Sequence, residues 1–280
     1  MAVRRPAVAG QFYPSDPQEL SALIDECYAH RLGPGQGPPA PSSNAGAVAV
    51  ISPHAGYVYS GPVAAHSYLH VSSMRKPELI VVVAPNHYGV GSGVATFSEG
   101  EWETPLGRMR VDSAASRRLV DLSDVVSVDP GAHRLEHSLE VQLPFLQRLY
   151  GDSVPFLPIS LLFQDFDTTA AVSKALVKVI EGMKVVLIAS SDLTHYEAAE
   201  RAKEKDTALI QQILKMDVGG FYSTLESLGV TACGYGAIAT IMQTAGSIGL
   251  RRAELLKYAS SGDTTGDNLQ VVGYGALRLI

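Results

Sequence analysis

Hydrophobic positions along the chain fall into two alternating patterns, short unbroken runs and longer stretches with helical spacing. Leu20, Leu23, Ile24, Cys27 and Tyr28 recur at i, i+3, i+4, i+7 and i+8, the period of a helix with one face on a core. Asp16, Pro17 and Glu19 predict its start as an N-cap, a proline at the first helical position and a capping-box pattern. On that face Cys27 reads as a small buried hydrophobe rather than a reactive thiol. The runs Ala47–Ile51, Leu79–Ala84, Val154–Ser160 and Lys184–Ser190 are strand candidates, and Leu79–Ala84 has the composition of a strand buried on both faces. Helical patterns run from Gly61 to about Val71, Ser113 to Leu122, about Thr168 to Glu181, Glu197 to Lys215 and Ala237 to Thr244. Shorter strand candidates are Val94–Phe97, Met109–Val111, Val125–Val128, Leu255–Ala259 and Gln270–Leu279. Gly33 to Asn44 is rich in Gly, Pro and Ser without an apolar period, and reads as a surface connection. Strand–helix alternation of this kind predicts an α/β fold. We expect a single domain over residues 1–280, with a central mostly parallel or mixed sheet covered by helices on both faces.

Composition narrows the function classes. Hydrophobic residues make up 46% and charged residues 18% of the 280, which fits a globular enzyme better than a disordered or repeat protein. The net charge of −6 and the lack of a dense Lys/Arg stripe argue against nucleic-acid binding. No apolar run is long enough to span a bilayer, and Arg4-Arg5 is not followed by a signal-peptide core. Two cysteines, Cys27 and Cys233, cannot build a multi-bridge framework, so free thiols in a reducing, cytoplasmic compartment are expected.

Three of the strand candidates end in titratable loops. Ala47–Ile51 leads into Ser52-Pro53-His54-Ala55-Gly56-Tyr57, Leu79–Ala84 into Pro85-Asn86-His87-Tyr88-Gly89, and Lys184–Ser190 into Ser191-Asp192-Leu193-Thr194-His195. Ligands of open α/β sheets bind outside the carboxyl ends of strands. Cys233 arrives from a fourth loop at an apparent helix start, where partial positive charge favours the thiolate. His54, His87 and Cys233 make a three-ligand set for a borderline transition ion, and Asp192 with His195 an acid/base pair beside it. The segment His133–Pro144 reads as a helix on which His137 and Glu140 share a face, either a solvated His/Glu pair or a cleft wall. Tyr57 and Asn86, in the first two loops, join His137 and Glu140 as expected substrate contacts. His66 and His70, four apart without the Glu of H-E-x-x-H, read as solvated helix-face residues. Trp102 reads as a cleft lining or a packing anchor, and Asp263 and Asp267 as turn or cap residues.

Seven segments in order, PAVAGQFYP from Pro6, SPHAGYVYSG from Ser52, APNHYG from Ala84, EHSLEVQLPF from Glu136, SSDLTH from Ser190, CGYGA from Cys233 and SGDTTGD from Ser261, resemble the Memo family over nearly the whole chain. The resemblance implies a fold similar to class III extradiol dioxygenases, with His54, His87 and Cys233 at the metal positions and Asp192 and His195 beside them, His195 as acid/base. Those dioxygenases hold iron with two histidines and a glutamate. Cys233 stands at the carboxylate position, so ring cleavage is not implied, and a soft thiolate favours iron, copper or zinc.

The resemblance further implies iron or copper redox binding, phosphotyrosine-peptide binding in animal relatives, and prokaryotic relatives found alongside a radical SAM enzyme and a small partner protein. The expected function is therefore a metal-binding redox protein or enzyme, iron(II) first and copper or zinc after it, acting on a small molecule or modified protein side chain. The alternatives are a peptide-binding adaptor with a vestigial site, and a zinc hydrolase with Glu140 or His195 as base.

Overall fold

In the computed structural model, which describes residues 3–39 and 46–280, the four leading apolar runs lie side by side in one sheet. Residues 40–45, which include the end of the expected surface connection, lie outside the described residues. The first half of the chain gives β1 (Val3–Arg4), α1 (Pro17–Ala29), β2 (Ala47–Ser52), α2 (Tyr57–Val71), β3 (Leu79–Pro85), β4 (Val94–Thr96), β5 (Glu101–Thr104) and β6 (Gly107–Arg110). Then come α3 (Ser113–Asp121), β7 (Ser127–Val128), α4 (Pro130–His133), a 3-10 turn (Glu140–Gln142), α5 (Leu143–Tyr150), β8 (Phe156–Leu161), α6 (Phe166–Val179) and β9 (Val185–Ser190). The last third gives β10 (His195–Glu197), α7 (Ala199–Leu214), α8 (Val218–Leu228), α9 (Tyr235–Ser247), β11 (Ala253–Ser260), α10 (Ser261–Thr265) and β12 (Val271–Leu279).

The large sheet runs β10-β12-β2-β9-β3-β8-β4-β7, with β11 also on β12, and a small sheet joins β1, β5 and β6. Its centre, β2-β9-β3-β8, is parallel, whereas β12 joins β2 and β4 joins β8 antiparallel. The fold is thus mixed α/β, a central mixed sheet flanked by helices. Strands buried on both faces need apolar residues at odd and even positions alike. Val48, Val50, Val82, Ala84, Val186 and Ile188 pack under α1, α2 and α5; Ala49, Ile51, Val81, Val83, Leu187 and Ala189 pack under α3 and α6 to α9. Ser52 lies opposite Ser190, so the neighbouring strands β2, β9 and β3 deliver their following loops to one edge of the sheet. Among the described residues, no helix is long and apolar enough to cross a membrane.

Several expectations need correction. Residues 133–144 are not one helix: α4 ends at His133, the chain runs irregularly to the 3-10 turn, and Pro144 sits in the first turn of α5, where a proline costs no hydrogen bond. Helix α2 begins at Tyr57 rather than Gly61, and the helix expected from Glu197 follows a short strand, β10. Helix α8, capped by Asp217, has two glycines in its first turn that mask it in the sequence. His66 and His70 are half-buried rather than solvated. His66 Nε2 is 3.0 Å from the Leu32 carbonyl, and burial, then Arg278, holds His70 down to about 4. Trp102 is a packing anchor, fully buried in β5 with the Arg4 guanidinium 4.3 Å from its ring centre.

Candidate metal centre

The two histidine ligand candidates are each placed by the strand before them and aimed by one oxygen atom. The Ser190 hydroxyl, at the end of β9, donates to the Ser138 carbonyl (2.7 Å) and accepts from Gln142 Nε2 (2.8 Å). His54 Nδ1 lies 2.9 Å from the same oxygen. With the hydroxyl proton already directed at Ser138, His54 must donate from Nδ1, which leaves the Nε2 lone pair free. That Nε2 is 3.2 Å from Cys233 Sγ.

His87 is set the same way by a carboxylate. Its Nδ1 is 2.9 Å from Glu136 Oε1, and its backbone N–H donates to Oε2 at 2.6 Å. Glu136 also accepts the Ser138 N–H (2.9 Å) and has its Oε1 3.4 Å from His137 Nδ1. Burial opposes its ionisation, yet the His87 and Ser138 hydrogen bonds outweigh that and hold the carboxyl down to about 2. A third histidine follows the rule: His195 Nδ1 faces the Leu193 and Thr231 carbonyls at 2.7 and 3.0 Å, so its Nε2 is also free. Backbone carbonyls, not Asp192, therefore orient His195.

Cys233 reaches the site from the residue before Gly234, the N-cap of α9. A Cβ on Gly234 would lie 2.3 Å from the Ser190 carbonyl oxygen, so only glycine lets α9 start this close to β9. Gln164 clamps the same turn, donating to the Cys233 carbonyl (2.9 Å) and accepting from Gly236 N–H (2.8 Å). The Asp192 N–H donates to Cys233 Sγ (3.3 Å), and Asp192 Oδ1 accepts the His54 N–H (2.8 Å). The helix start by itself does not give a thiolate. Burial, then the Asp192 charge, pushes the Cys233 thiol up. Burial also raises Asp192 and, with His87, His137 and His195 nearby, holds His54 well below the usual histidine range. A bound cation reverses the preferences of Cys233 and Asp192 and reinforces that of His54, whose neutral imidazole is the ligand form.

The ligand atoms of His54, His87 and Cys233 all lie within 4.8 Å of one another, so residues 179 positions apart in sequence meet at one point. They floor a cavity of about 860 Å³ that Asp192, His195 and His137 also line. His137 stacks on His87 (4.6 Å, 20°) and has Phe12 on it at 4.6 Å. Of the four expected substrate contacts, only His137 lines this cavity. Tyr57 is buried and donates to the Val141 carbonyl (2.7 Å). Asn86 ties its own loop together, donating to Val90 and accepting from Tyr88 and Gly89. Glu140 is fully buried on Arg4 Nη1 (2.5 Å), the Ala7 and Val8 N–H groups and the Tyr13 hydroxyl (2.5 Å), so its carboxylate is taken up by the N-terminal segment and does not line the cavity. Glu136, Ser190, Gln142 and Gln164 carry no signal of their role in sequence. Each acts through a hydrogen bond that only the fold creates.

A family profile described as Memo-like protein matches residues 4–278. The chain belongs to the Memo family. A MEMO1 family protein of Nitrosopumilus maritimus is 46% identical over 278 residues, covering 99% of this chain and 100% of the relative. One from Methanopyrus kandleri is 45% identical over 276 residues, covering 98% of each. Among solved structures, an uncharacterized protein of Escherichia coli K12 aligns with this Memo chain at a TM-score of 0.59 and 14% identity, covering 83% of this chain and 99% of its own. At that identity the likeness is one of fold.

Proposed function

We propose that this Memo protein binds a redox-active transition ion, iron(II) first and copper next, and acts on a small molecule or modified protein side chain at the strand-end cavity. The supporting observation is that two imidazoles and one thiol converge within 4.8 Å, and that Ser190 and Glu136 leave both imidazoles with a free Nε2. That donor set, one soft sulfur and two borderline nitrogens, suits iron, copper or zinc rather than magnesium or calcium. Such an ion, when bound, supplies Lewis acidity and electron transfer. The chain's own residues do the rest. His195 Nε2 faces the cavity and takes or gives a proton there, Asp192 holds the His54 backbone and Cys233 Sγ in register, and Phe12 with His137 walls off one side.

The test is anaerobic loading of the full chain with ferrous iron, followed by desalting and metal analysis, with cobalt(II) substitution in parallel. Stoichiometric iron is expected, with a sulfur-to-cobalt charge-transfer band that disappears in Cys233→Ala, and loss of metal in His87→Ala. If neither iron nor copper is retained by the folded parent, the reading fails. Retention of zinc alone moves it to hydrolysis.

A further inference from the structure

The outer wall of the cavity differs from its floor. It is made by the exposed rings of Tyr59, Tyr88 and Tyr196 with Asp267, and among the described residues no lysine or arginine lines the cavity anywhere. An anionic group held at the outer wall would lose water and gain no lysine or arginine partner, a penalty that sites for phosphate or carboxylate avoid with Arg or Lys. The wall's one carboxylate, Asp267, accepts the Leu269 N–H at 2.9 Å and forms no ion pair with a described residue. Rings with exposed faces beside an unpaired carboxylate are what an organic cation seeks.

Tyr196 makes the second, independent case. It is the extra residue where the β10–β12 register shifts between His195 and Glu197, and bulges of this kind re-aim a side chain beside a site. Its φ is +58°, a left-handed conformation that strains any residue with a Cβ and that glycine would adopt freely. Yet the side chain is a tyrosine, 72% exposed, with its ring 5.7 Å from that of His195. A strained backbone holding a large ring out in water contributes nothing to folding, so its use lies in what it touches.

We propose that the molecule acted on presents a cationic ammonium-type group to this outer wall, against the Tyr196 ring and the Asp267 carboxylate, and that the wall rejects phosphate-bearing groups. This rests on the cavity being the substrate site. It does not depend on which ion occupies the floor.

The experiment titrates tetramethylammonium, and separately phenyl phosphate, into the full chain carrying 13C-labelled tyrosine, read by ring chemical shifts. Both are run metal-free, so that phosphate ligation of an ion cannot mimic wall binding, and tetramethylammonium is repeated after iron loading. Tetramethylammonium is expected to saturate and to shift the Tyr196 ring, with phenyl phosphate about tenfold weaker or absent. Asp267→Asn and Tyr196→Ala should each weaken tetramethylammonium by about two- to fivefold, while Tyr196→Phe retains it. Tyr196→Gly separates contact from structure. It should lose binding as Tyr196→Ala does while melting no lower than the parent, because the backbone strain is relieved. Phosphate binding as tight as ammonium binding, or ammonium binding indifferent to both Asp267→Asn and Tyr196→Ala, overturns the proposal. Absence of iron in the loaded parent, with ammonium binding intact, overturns only the metal reading.

Discussion

The Glu136 carboxylate receives the His87 backbone N–H, the His87 ring Nδ1 and the Ser138 N–H in a fully buried position. It thereby fixes the loop after β3 and the direction of a candidate ligand together. Groups that orient a metal-binding histidine typically change metal affinity by about 10- to 100-fold when removed. Glu136→Gln is expected to weaken iron(II) binding by about that factor, measured by competition with a chelator, whereas an unchanged affinity would separate the carboxylate from the site. The same residue sets a pH dependence. A carboxyl held at about 2 instead of its ordinary 4.5 adds roughly 3 kcal/mol of stability. That contribution is fully present above about pH 4.5 and is lost as the pH falls towards 2. His137, held near 4 by burial and by His87 against the pull of Glu136, acts with the same sign. Its share is present above about pH 6.5 and declines as the pH falls to 4. Urea midpoints of the parent should therefore drop across both windows, and Glu136→Gln should flatten the lower one.

At the scale of elements, the site depends on how close α9 begins to β9. Gly234→Ala places a methyl 2.3 Å from the Ser190 carbonyl and 2.8 Å from Ser191 Cβ. The helix start must move, at a cost of about 1–3 kcal/mol, and Cys233 moves with it. The variant is expected to stay folded, with a lower urea midpoint and a weakened cobalt–thiolate band; a parent-like spectrum would show that the clamp at Gln164 holds Cys233 by itself. Elements of this kind divide by how local their cause is. Strands β2, β3 and β9 are legible because a strand buried on both faces writes an unbroken apolar run, and the loops carrying His54, His87, Asp192 and His195 follow directly from their ends. Helix α1 is legible through Asp16 and Pro17, whose caps act within one turn. The stretch between α4 and α5 is not, because the apolar spacing of Leu139, Leu143 and Leu146 imitates a helix while Pro144 and the buried Glu136 and Glu140 break it. Helix α8 is hidden by Gly219 and Gly220.

Across the whole molecule, Glu140 ties the chain's beginning to the wall of the cavity. Its partners Arg4, Ala7, Val8 and Tyr13 lie 127 to 136 residues away in sequence, so no local pattern could distinguish it from a cleft residue. Arg4 is fastened further by donating to the His133 and Glu136 carbonyls at 2.8 and 2.7 Å. The segment it anchors continues to Phe12, whose ring rests on His137 and whose carbonyl accepts the Tyr57 N–H. Removing the carboxylate leaves the Arg4 guanidinium buried without its counter-charge, a change that costs about 3–5 kcal/mol in comparable pairs. Glu140→Ala is therefore expected to lower stability by that amount and to speed amide exchange at Ala7 and Val8, whose N–H groups lose their acceptor. The floor should respond less, because His54 and His87 take their aim from Ser190 and Glu136 rather than from the N-terminal segment. Iron affinity within about threefold of the parent, alongside fast exchange at residues 7 and 8, would establish wall and floor as separable parts. A collapse of metal binding in step with the exchange would mean instead that the Phe12–His137–His87 stack transmits the position of the first residues into the ligand set.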